Sequence, residues 1–502
     1  MESLTESTWD VVIHGTGLQQ SLLVLALSRS GKKILHVDPN EYYGGPDAAL
    51  TLQDAESWLE AHSGSSTGPS LFRSAAHSKA GEQKEEGRKG LSSGRAYSLS
   101  LSPQIIHARS TLLSHLVSSR AYRQLEFLAV GSFFIYRPGS ESESAPRAAS
   151  LTRIPATREA VFSNTEIAPR SKRSLMKFLK FVLDHDSEAN LPLWTPRADD
   201  PLDEFLLSDF KLDSDLRAYV VTLTLSQTGD ISVRDGLAVL HRHLTSTGFF
   251  GPGFAALYPK WGGGSEVAQV ACRAGAVGGA VYMLGTDIRS VARDDATGEL
   301  EIELTTDVTV KSRTLVRGDE AGEKPTEAVA RLVAVVDPPL RSLFEVVVEG
   351  SPAPAVAVVA FPAGSLEGGK YPVYVVAHSS DTGECPSGQS ILYLSTTPSP
   401  TSKSHLETAL AALLPSISVS GEPEPKPLYT LYYEQAQGAP ELRSDGGTLT
   451  LPSPRISLSF DDGTLDIVRE AWGLLWDKLG GGEERGEFMV FEDREGADDD
   501  EM

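Results

Sequence analysis

The segment from Trp9 to Asp38 has the pattern of a strand, a glycine turn, an apolar helix and a second strand. Such a unit opens dinucleotide-binding folds, where the turn reads G-x-G-x-x-G and holds a pyrophosphate at the start of the helix. Gly15 and Gly17 occupy the first two glycine positions, but Gln20 stands at the third, and its side chain should crowd the phosphates. Asp38 lies 23 residues after Gly15, where a ribose-binding acid is expected. The sequence therefore predicts a flavoprotein-like α/β fold with a damaged cofactor turn and no cofactor.

The order of patterns along the 502 residues predicts a large discontinuous α/β domain from segments 1–137 and 249–480. A run of helical periodicity at 138–248 interrupts it and predicts a smaller all-helical domain. Segment 62–95 is rich in Ser, Gly and mixed charge, which is typical of a flexible insertion. Segment 481–502 is strongly acidic and predicts a disordered tail.

Several local elements follow from periodicity and turn residues. A helix is expected at 51–61, a hairpin within 288–312 with its turn near Ala296–Gly298, and a buried strand ending at the proline pair of 328–340. Near the end, apolar residues at i, i+3, i+7, i+10 and i+14 predict one buried helix face, formed by Leu465, Val468, Trp472, Leu475 and Leu479.

Composition limits the function. The net charge of −23 argues against nucleic-acid binding and against nonspecific adhesion to acidic membranes. No apolar run approaches the roughly 18 residues needed to span a bilayer. The acidic N-terminus does not have the pattern of a signal peptide, and the two cysteines supply no disulfide framework. The cytosol is the expected compartment.

Motifs that carry catalysis or metal binding are missing from the sequence. There is no G-x-S-x-G, no H-E-x-x-H and no G-x-x-x-x-G-K-[ST]. Nothing in the chain combines an activated nucleophile with a general base. We therefore expect a binding protein with no catalytic residues and no metal site.

Four blocks carry a family resemblance: EYYGGPDAALTLQDAESWL at 41–59, AYRQLEFLAVGSFFIY at 121–136, LYPKWGGGSEVAQVACRAGAVGGAVYML at 257–284 and VVDPPL at 335–340. Together with the G-T-G turn, they resemble the family of Rab escort proteins and Rab GDP-dissociation inhibitors. The resemblance covers most of positions 9–340. It implies partners: GDP-bound Rab GTPases and, for the escort branch, the geranylgeranyltransferase α/β heterodimer.

The resemblance assigns a Rab-binding platform to Tyr43, Glu266 and Arg273. Glu266 and Arg273 stand seven residues apart, which places them on the same face of a helix, about 10 Å apart. The sequence departs from the family pattern Y-P-x-x-G-x-G-E-L-P-Q by lacking the proline after the glutamate, so we expect a shifted helix start. The alternative is an ordinary surface ion-pair network.

The helical segment carries a second pattern, which separates the two branches of the family. Escort proteins resemble one another in a phenylalanine and an arginine eleven residues apart that contact the transferase, and Phe162 and Arg173 have this spacing. The alternative is that Phe162 is a core aromatic. The resemblance further implies a groove for the geranylgeranyl group, with candidate residues Leu175, Met176, Phe178, Leu179 and Val182, each of which could equally be plain core.

The expected function is thus that of the escort branch. Such a protein binds newly synthesised GDP-bound Rab, presents it to the transferase for prenylation of its C-terminal cysteines, and delivers the product transiently to membranes without performing chemistry. The alternatives are a Rab GDP-dissociation inhibitor, which recycles prenylated Rab, and a flavin-dependent oxidoreductase.

Overall fold

The computed structural model of the protein describes residues 4–63, 70–79, 90–139, 148–155, 158–165, 167–319, 327–418, 421, 423–479 and 486–492. Within them the chain forms two large β-sheets with α-helices packed around them.

The strands, in chain order, are β1 (Trp9–His14), β2 (Ile34–Val37), β3 (Ala49–Leu50), β4 (Phe72–Lys79), β5 (Leu99–Ser100), β6 (Ile106–His107), β7 (Phe127–Arg137), β8 (Ser150–Arg153), β9 (Ala256–Pro259), β10 (Val281–Met283), β11 (Ile288–Arg293), β12 (Leu300–Leu304), β13 (Thr309–Gly318), β14 (Glu327–Asp337), β15 (Val356–Phe361), β16 (Val373–Ser379), β17 (Ser390–Thr396), β18 (Lys426–Gln437), β19 (Arg443–Asp445) and β20 (Thr448–Leu451). The α-helices are α1 (Leu18–Leu27), α2 (Leu52–His62), α3 (Thr111–Ser118), α4 (Arg158–Ser163), α5 (Pro169–Leu183), α6 (Leu191–Trp194), α7 (Leu202–Phe210), α8 (Ser214–Leu223), α9 (Val233–Ser246), α10 (Gly264–Val277), α11 (Ser402–Ser416) and α12 (Gly463–Leu479).

The first sheet has the order β10-β2-β1-β13-β12-β11, with β20 beside the end of β13 and β19 beside β20. β1 pairs in parallel with β2 and β13, so that α1 forms the crossover between β1 and β2. Alternate residues of β1 face opposite sides of the sheet: Val11 and Ile13 pack with α1, α10 and α12, and Val12 packs with β12. Because the sheet, α10 and α12 surround α1, every residue of this helix is buried except Gln20.

The second sheet has the order β4-β18-β14-β17-β16-β15-β7-β9-β6, with β8 paired to β7. Helix α11 covers one face. Helices α4 to α9 cover the other, and their buried side chains, such as Phe178 and Leu237, belong to the same apolar cluster as Val130 and Val358 of the sheet. The helical segment therefore packs on the sheet, while Phe178, Phe205 and Phe210 of its helices also pack on one another. It begins at Arg158 and not at residue 138, because β8 still hydrogen-bonds to β7.

Two predicted flexible segments contain ordered parts. Within 62–95, the strand β4 pairs with β18 and buries Phe72, so the prediction of an unstructured insertion is wrong for residues 72–79. A strand at the edge of a sheet is held by backbone hydrogen bonds, and these do not require alternating apolar residues in its sequence. Within the predicted acidic tail, Phe488 and Met489 are buried against α12 and α3. The remainder of both segments lies outside the described residues.

The elements predicted from periodicity are confirmed. The helix expected at 51–61 is α2, the hairpin is β11–β12 with Gly298 in its turn at a φ of +74°, and the buried strand is β14. The apolar helix face belongs to α12, which packs against α1.

Two adjacent leucines test the packing of α12 on α1. Leu475 is fully buried, whereas Leu474 is 41% exposed. Leu475→Ala should lower the free energy of unfolding by about 2–5 kcal/mol through lost burial and a cavity. Leu474→Ala, the matched control, should change it by less than about 0.5 kcal/mol. Denaturant unfolding measures both, and equal effects would contradict the assigned helix face.

Candidate functional site: a closed cofactor turn, a binding platform and an apolar cavity

The turn between β1 and α1 keeps the backbone of a dinucleotide site, but the side chain of Gln20 narrows the space above it. Gly15 has a φ of +86°, which explains the glycine at this position. The amide of Gln20 lies over the turn: a Cβ placed on Gly17 would be 3.0 Å from Gln20 Oε1, and one on Gly318 would be 2.8 Å from Gln20 Nε2. The predicted crowding by Gln20 is therefore present in the structure.

Asp38, the predicted ribose-binding acid, is fully buried and bonded within the protein. Its Oδ2 accepts from the backbone N–H and the hydroxyl of Thr16, both at 2.6 Å. Its Oδ1 accepts from the backbone N–H of Asn40 at 2.8 Å and from the Asn40 side chain at 3.0 Å. These bonds fasten the end of β2 to the glycine turn.

The N-terminus of α1 is occupied by a carboxylate of the chain itself. Asp47 is 5% exposed, and its Oδ2 accepts a 3.1 Å hydrogen bond from the backbone N–H of Leu18, in the first turn of α1. Burial raises the pKa of the Asp47 carboxyl to about 6, while the hydrogen bond from Leu18 and the charge of Arg331 act in the opposite direction. A helix N-terminus is where this fold would hold a pyrophosphate. Asp47 takes the position of the pyrophosphate and Gln20 covers the turn, which disfavours a dinucleotide even though a pocket of 280 Å³ remains beside Gly15, Gly17 and Asp38.

The loop that supplies Asp47 also carries Tyr43. Gly44 bridges to Gly17 and donates its N–H to the hydroxyl of Thr16 at 3.0 Å. The same glycine, at a φ of +103°, lies against the start of α10, since an added Cβ would be 3.2 Å from Ser265 Oγ. Tyr43 is half-buried, with its ring centroid 6.2 Å from that of Tyr282. The loop thus fixes Tyr43 beside α10.

Helix α10 presents the other two predicted platform residues. It begins at Gly264, so Glu266 lies in its first turn even though the family's proline is missing. Glu266 is half-buried, and burial raises its pKa, whereas Arg273 is exposed two turns further along. The structure therefore brings Tyr43, Glu266 and Arg273 onto two contacting elements.

Phe162 and Arg173 lie on consecutive helices of the helical segment. Phe162, in α4, is 52% exposed and is therefore not a core aromatic. Arg173, in α5, is also exposed. Lys172 Nζ donates to the backbone carbonyl of Phe162 at 2.7 Å, which holds the end of α4 next to the first turn of α5.

An apolar cavity of 680 Å³ lies between the helical segment and the second sheet. Three of the predicted groove residues line it, namely Leu175, Met176 and Leu179. Phe178 and Val182 do not: both are fully buried, and the Phe178 ring packs against Phe210 with centroids 5.0 Å apart. The two faces of α5 therefore have different roles, one lining the cavity and one forming core.

The sequence analysis missed the opposite walls of this cavity. They come from β7, α8 and α9 and include Phe133, Tyr219 and Leu244. It also missed Asp47, although an acid two residues after Gly45 in a loop returning to the turn was the available signal.

Other kinds of site are not found in the described ranges. There, none of the helices combines the length and the apolarity required to cross a membrane. The same residues include no group of three His, Cys, Asp or Glu side chains placed to hold a metal ion.

Comparison with known proteins identifies the family. The family model described as GDP dissociation inhibitor matches residues 5–419. The chain belongs to this family.

Two relatives show how far the family likeness extends. The Rab proteins geranylgeranyltransferase component A of Saccharomyces cerevisiae is 31% identical over 425 residues, which cover 82% of this chain and 66% of the yeast protein. The chain thus spans just under two thirds of that relative. Rab escort protein 1 of Arabidopsis thaliana is 25% identical over 555 residues, covering 96% of this chain and 94% of the plant protein.

Solved structures confirm the predicted α/β fold. The Rab GDI of Plasmodium falciparum superposes with a TM-score of 0.65 at 18% identity, covering 96% of this chain and 100% of that one. An oxidoreductase of Methanosarcina mazei superposes with a TM-score of 0.57 at 12% identity, covering 92% and 100%. The GDP dissociation inhibitor family thus shares its architecture with oxidoreductases.

The closed cofactor turn predicts a specific pH dependence of stability. Because the folded-state pKa of Asp47 exceeds its ordinary value of 3.8, the folded protein holds the extra proton between these values. The contribution of Asp47 to the free energy of unfolding should therefore fall as pH rises from about 4 to about 6. Asp47→Asn keeps a side-chain acceptor and should remove this fall. Urea unfolding of both proteins at several pH values measures the difference, and parallel curves would contradict it.

Proposed function

We propose that the chain is a Rab escort protein. It binds newly made GDP-bound Rab, presents it to the geranylgeranyltransferase heterodimer and carries the prenylated product to membranes. The observation that carries the proposal is a fold whose pyrophosphate position is taken by Asp47, combined with a platform on α10 and a separate apolar cavity. This arrangement supports binding and offers no cofactor chemistry. A flavin-dependent oxidoreductase is disfavoured for the same reason.

The platform supports a protein partner at Tyr43, Glu266 and Arg273. Arg273 is exposed, and a guanidinium can donate several hydrogen bonds in a fixed plane, which suits carboxylates and carbonyls of a partner surface. Seven residues of helix separate it from Glu266, about 10 Å along the axis. One face of a small GTPase can span that distance, so a single partner would contact both charges.

Arg273→Ala tests the platform. It should weaken the affinity for unprenylated GDP-bound Rab by about 1–3 kcal/mol, as expected when a charged contact is lost. The fold should persist, since an exposed arginine buries little surface. Isothermal titration gives the affinity and thermal unfolding gives the stability. Reduced stability with unchanged affinity in the folded fraction would show that Arg273 is structural.

The 680 Å³ cavity supports binding of the geranylgeranyl group. Its volume lies within the range of about 300–1,000 Å³ that small-molecule sites occupy. Its walls are mostly apolar, and burying an isoprenoid contributes roughly 0.8 kcal/mol per methylene before ordering costs. Leu175, Met176 and Leu179 would contact the chain, while Phe178 and Val182 would hold α5 in place from behind.

Leu179→Trp should reduce the cavity and selectively weaken the prenylated product complex. We expect affinity for prenylated Rab to fall by about tenfold or more, and affinity for unprenylated Rab to be unchanged. Lys177→Trp is the matched control, because Lys177 is exposed on the same helix and does not line the cavity. Fluorescence titration with both forms of Rab measures the effect. Equal losses for both forms would argue against prenyl binding in this cavity.

The exposed Phe162 on α4 supports the function of a Rab escort protein over that of a Rab GDP-dissociation inhibitor. A half-exposed phenylalanine beside the cationic start of α5 is a typical hot-spot arrangement. Phe162 and Arg173 would together contact the transferase heterodimer. They lie in the helical segment, while Tyr43 and α10 border the first sheet, so the two partners could bind at once.

Phe162→Ala separates the two interactions. Loss of the aromatic should cost about 2 kcal/mol or more in binding to the transferase heterodimer loaded with a prenyl diphosphate. Titration with unprenylated Rab should be unaffected. Joint loss of both affinities would mean that Phe162 holds the helical segment together.

In vitro prenylation decides the function as a whole. Purified heterodimer, Rab and prenyl diphosphate are combined with and without this protein, and incorporation of the lipid is followed. Escort function requires that prenylation depends on the protein. Binding of Rab without any support of prenylation would instead favour a Rab GDP-dissociation inhibitor.

A further inference from the structure

The loop between β9 and α10 exposes a large aromatic side chain. Trp261 is 51% exposed, although tryptophan is highly buried on average. Its backbone has a φ of +73°, in the left-handed region that bulky residues rarely adopt. Such a conformation persists only when its surroundings enforce it, and it is common at binding sites.

The surroundings of Trp261 do enforce its position. The backbone N–H of Trp261 donates to the carbonyl of Thr382 at 2.9 Å, and its backbone carbonyl accepts from the Ser98 hydroxyl at 3.2 Å. The indole lies directly on Gly383, where an added Cβ would come 2.2 Å from Cε3 of the ring. One side of the indole is therefore seated on backbone, and about half of the side chain remains open to a partner.

A buried polar cluster anchors this seat. Glu384, which follows Gly383, is fully buried and accepts from the hydroxyls of Tyr258 at 2.7 Å and Tyr393 at 2.9 Å. Its other buried neighbour is His378, whose Nδ1 lies 2.7 Å from Glu384 Oε2. The backbone carbonyl of Glu384 accepts from the N–H of Ser98 at 3.0 Å. The cluster thus connects both segments that hold Trp261 and restricts their movement.

The positive charge of Lys260, next to Trp261, is already paired with Glu126. Lys260 Nζ lies 4.9 Å from the centre of a Trp261 ring and contacts both carboxylate oxygens of Glu126 at 3.0 Å. The open side of the indole is therefore suited to an apolar side chain and offers no unpaired cation to an acidic peptide.

Trp261 adjoins the platform through the β9–α10 loop. It precedes Glu266 by five residues, and the intervening Gly262 lies against Ala49, where an added Cβ would be 2.5 Å from the alanine Cβ. Ala49 follows the loop that carries Tyr43. We infer that Trp261 is a further Rab-contacting residue, an aromatic anchor preset by Gly383 that receives an apolar side chain of the GTPase. This inference rests on the Rab-binding function proposed above.

The test uses the full chain and GDP-loaded, unprenylated Rab. Trp261→Ala should weaken binding by about tenfold or more, and Trp261→Phe should retain most of the affinity. Leu474→Ala, which removes an exposed apolar side chain of α12, is the control and should bind like the wild type. Thermal unfolding of each variant shows whether it is folded.

A double-mutant cycle tests the preset position. Gly383→Ala would displace the indole from its seat and should weaken binding in the wild-type background. In the Trp261→Ala background the same change should have little further effect, because the aromatic is already missing. Fully additive losses of affinity would show that Gly383 acts independently of Trp261 and would overturn the preset anchor.

A spectroscopic signature completes the test. Acrylamide quenching is compared for wild type and Trp261→Phe, with and without Rab, so that all other tryptophans cancel in the difference. Rab should protect the emission assigned to Trp261. Undiminished affinity of Trp261→Ala, with a wild type that binds Rab, overturns this inference alone. A wild type that binds no Rab overturns the proposed function as well.

Discussion

The hydrogen bond from the Leu18 amide to Asp47 is the interaction on which the position of the Tyr43 loop depends. A buried carboxylate is costly unless it is hydrogen-bonded, and the N-terminus of a helix supplies both donors and a favourable dipole. By occupying that position, Asp47 draws its loop over α1. The same loop is tied to the glycine turn through Gly44 and Thr16, and Thr16 is tied to Asp38. These hydrogen bonds within the chain thereby order the glycine turn and its loop, a part that a bound cofactor plays in dinucleotide-binding proteins.

The same hydrogen bonds also hold the platform loop in place. The loop cannot leave α1 without breaking the hydrogen bonds of Asp47 to Leu18 and of Gly44 to Thr16. Tyr43 is therefore held beside Ser265 at the start of α10. On the other side, the β9–α10 loop is fixed by the buried cluster around Glu384. Side chains positioned in this way would lose little conformational entropy on binding a partner.

Sequence alone predicted the parts of the molecule that depend on local pattern. The β1-α1-β2 unit, α12 and the β11–β12 hairpin each follow from periodicity or turn residues within a few positions of one another. Gln20 was identified because one position in a fixed motif carries a side chain with an obvious steric effect. Tyr43, Glu266 and Arg273 came from family blocks, and the structure places them on contacting elements.

The missed features share a physical cause, since they arise from contacts between distant segments. The apolar cavity needs α5, β7 and α9 together, so α5 alone could not show which of its apolar faces lines the cavity. Phe178 and Leu179 are adjacent in the sequence and differ completely in role for this reason. Strand β4 was hidden because its partner, β18, lies more than 340 residues away. Trp261 gave no signal because its strained backbone depends on Gly383.

The contact of residues 486–492 with the start of the chain has a consequence for biosynthesis. Phe491 donates its N–H to Ser118 and lies under the guanidinium of Arg29, just beyond the end of α1. Helix α1 leaves the ribosome long before α12 and this segment, so part of its surface stays uncovered until they emerge. Contacts so distant in sequence slow folding and prolong the exposure of apolar surface. The leucine-rich α1 thus keeps apolar surface exposed for much of synthesis.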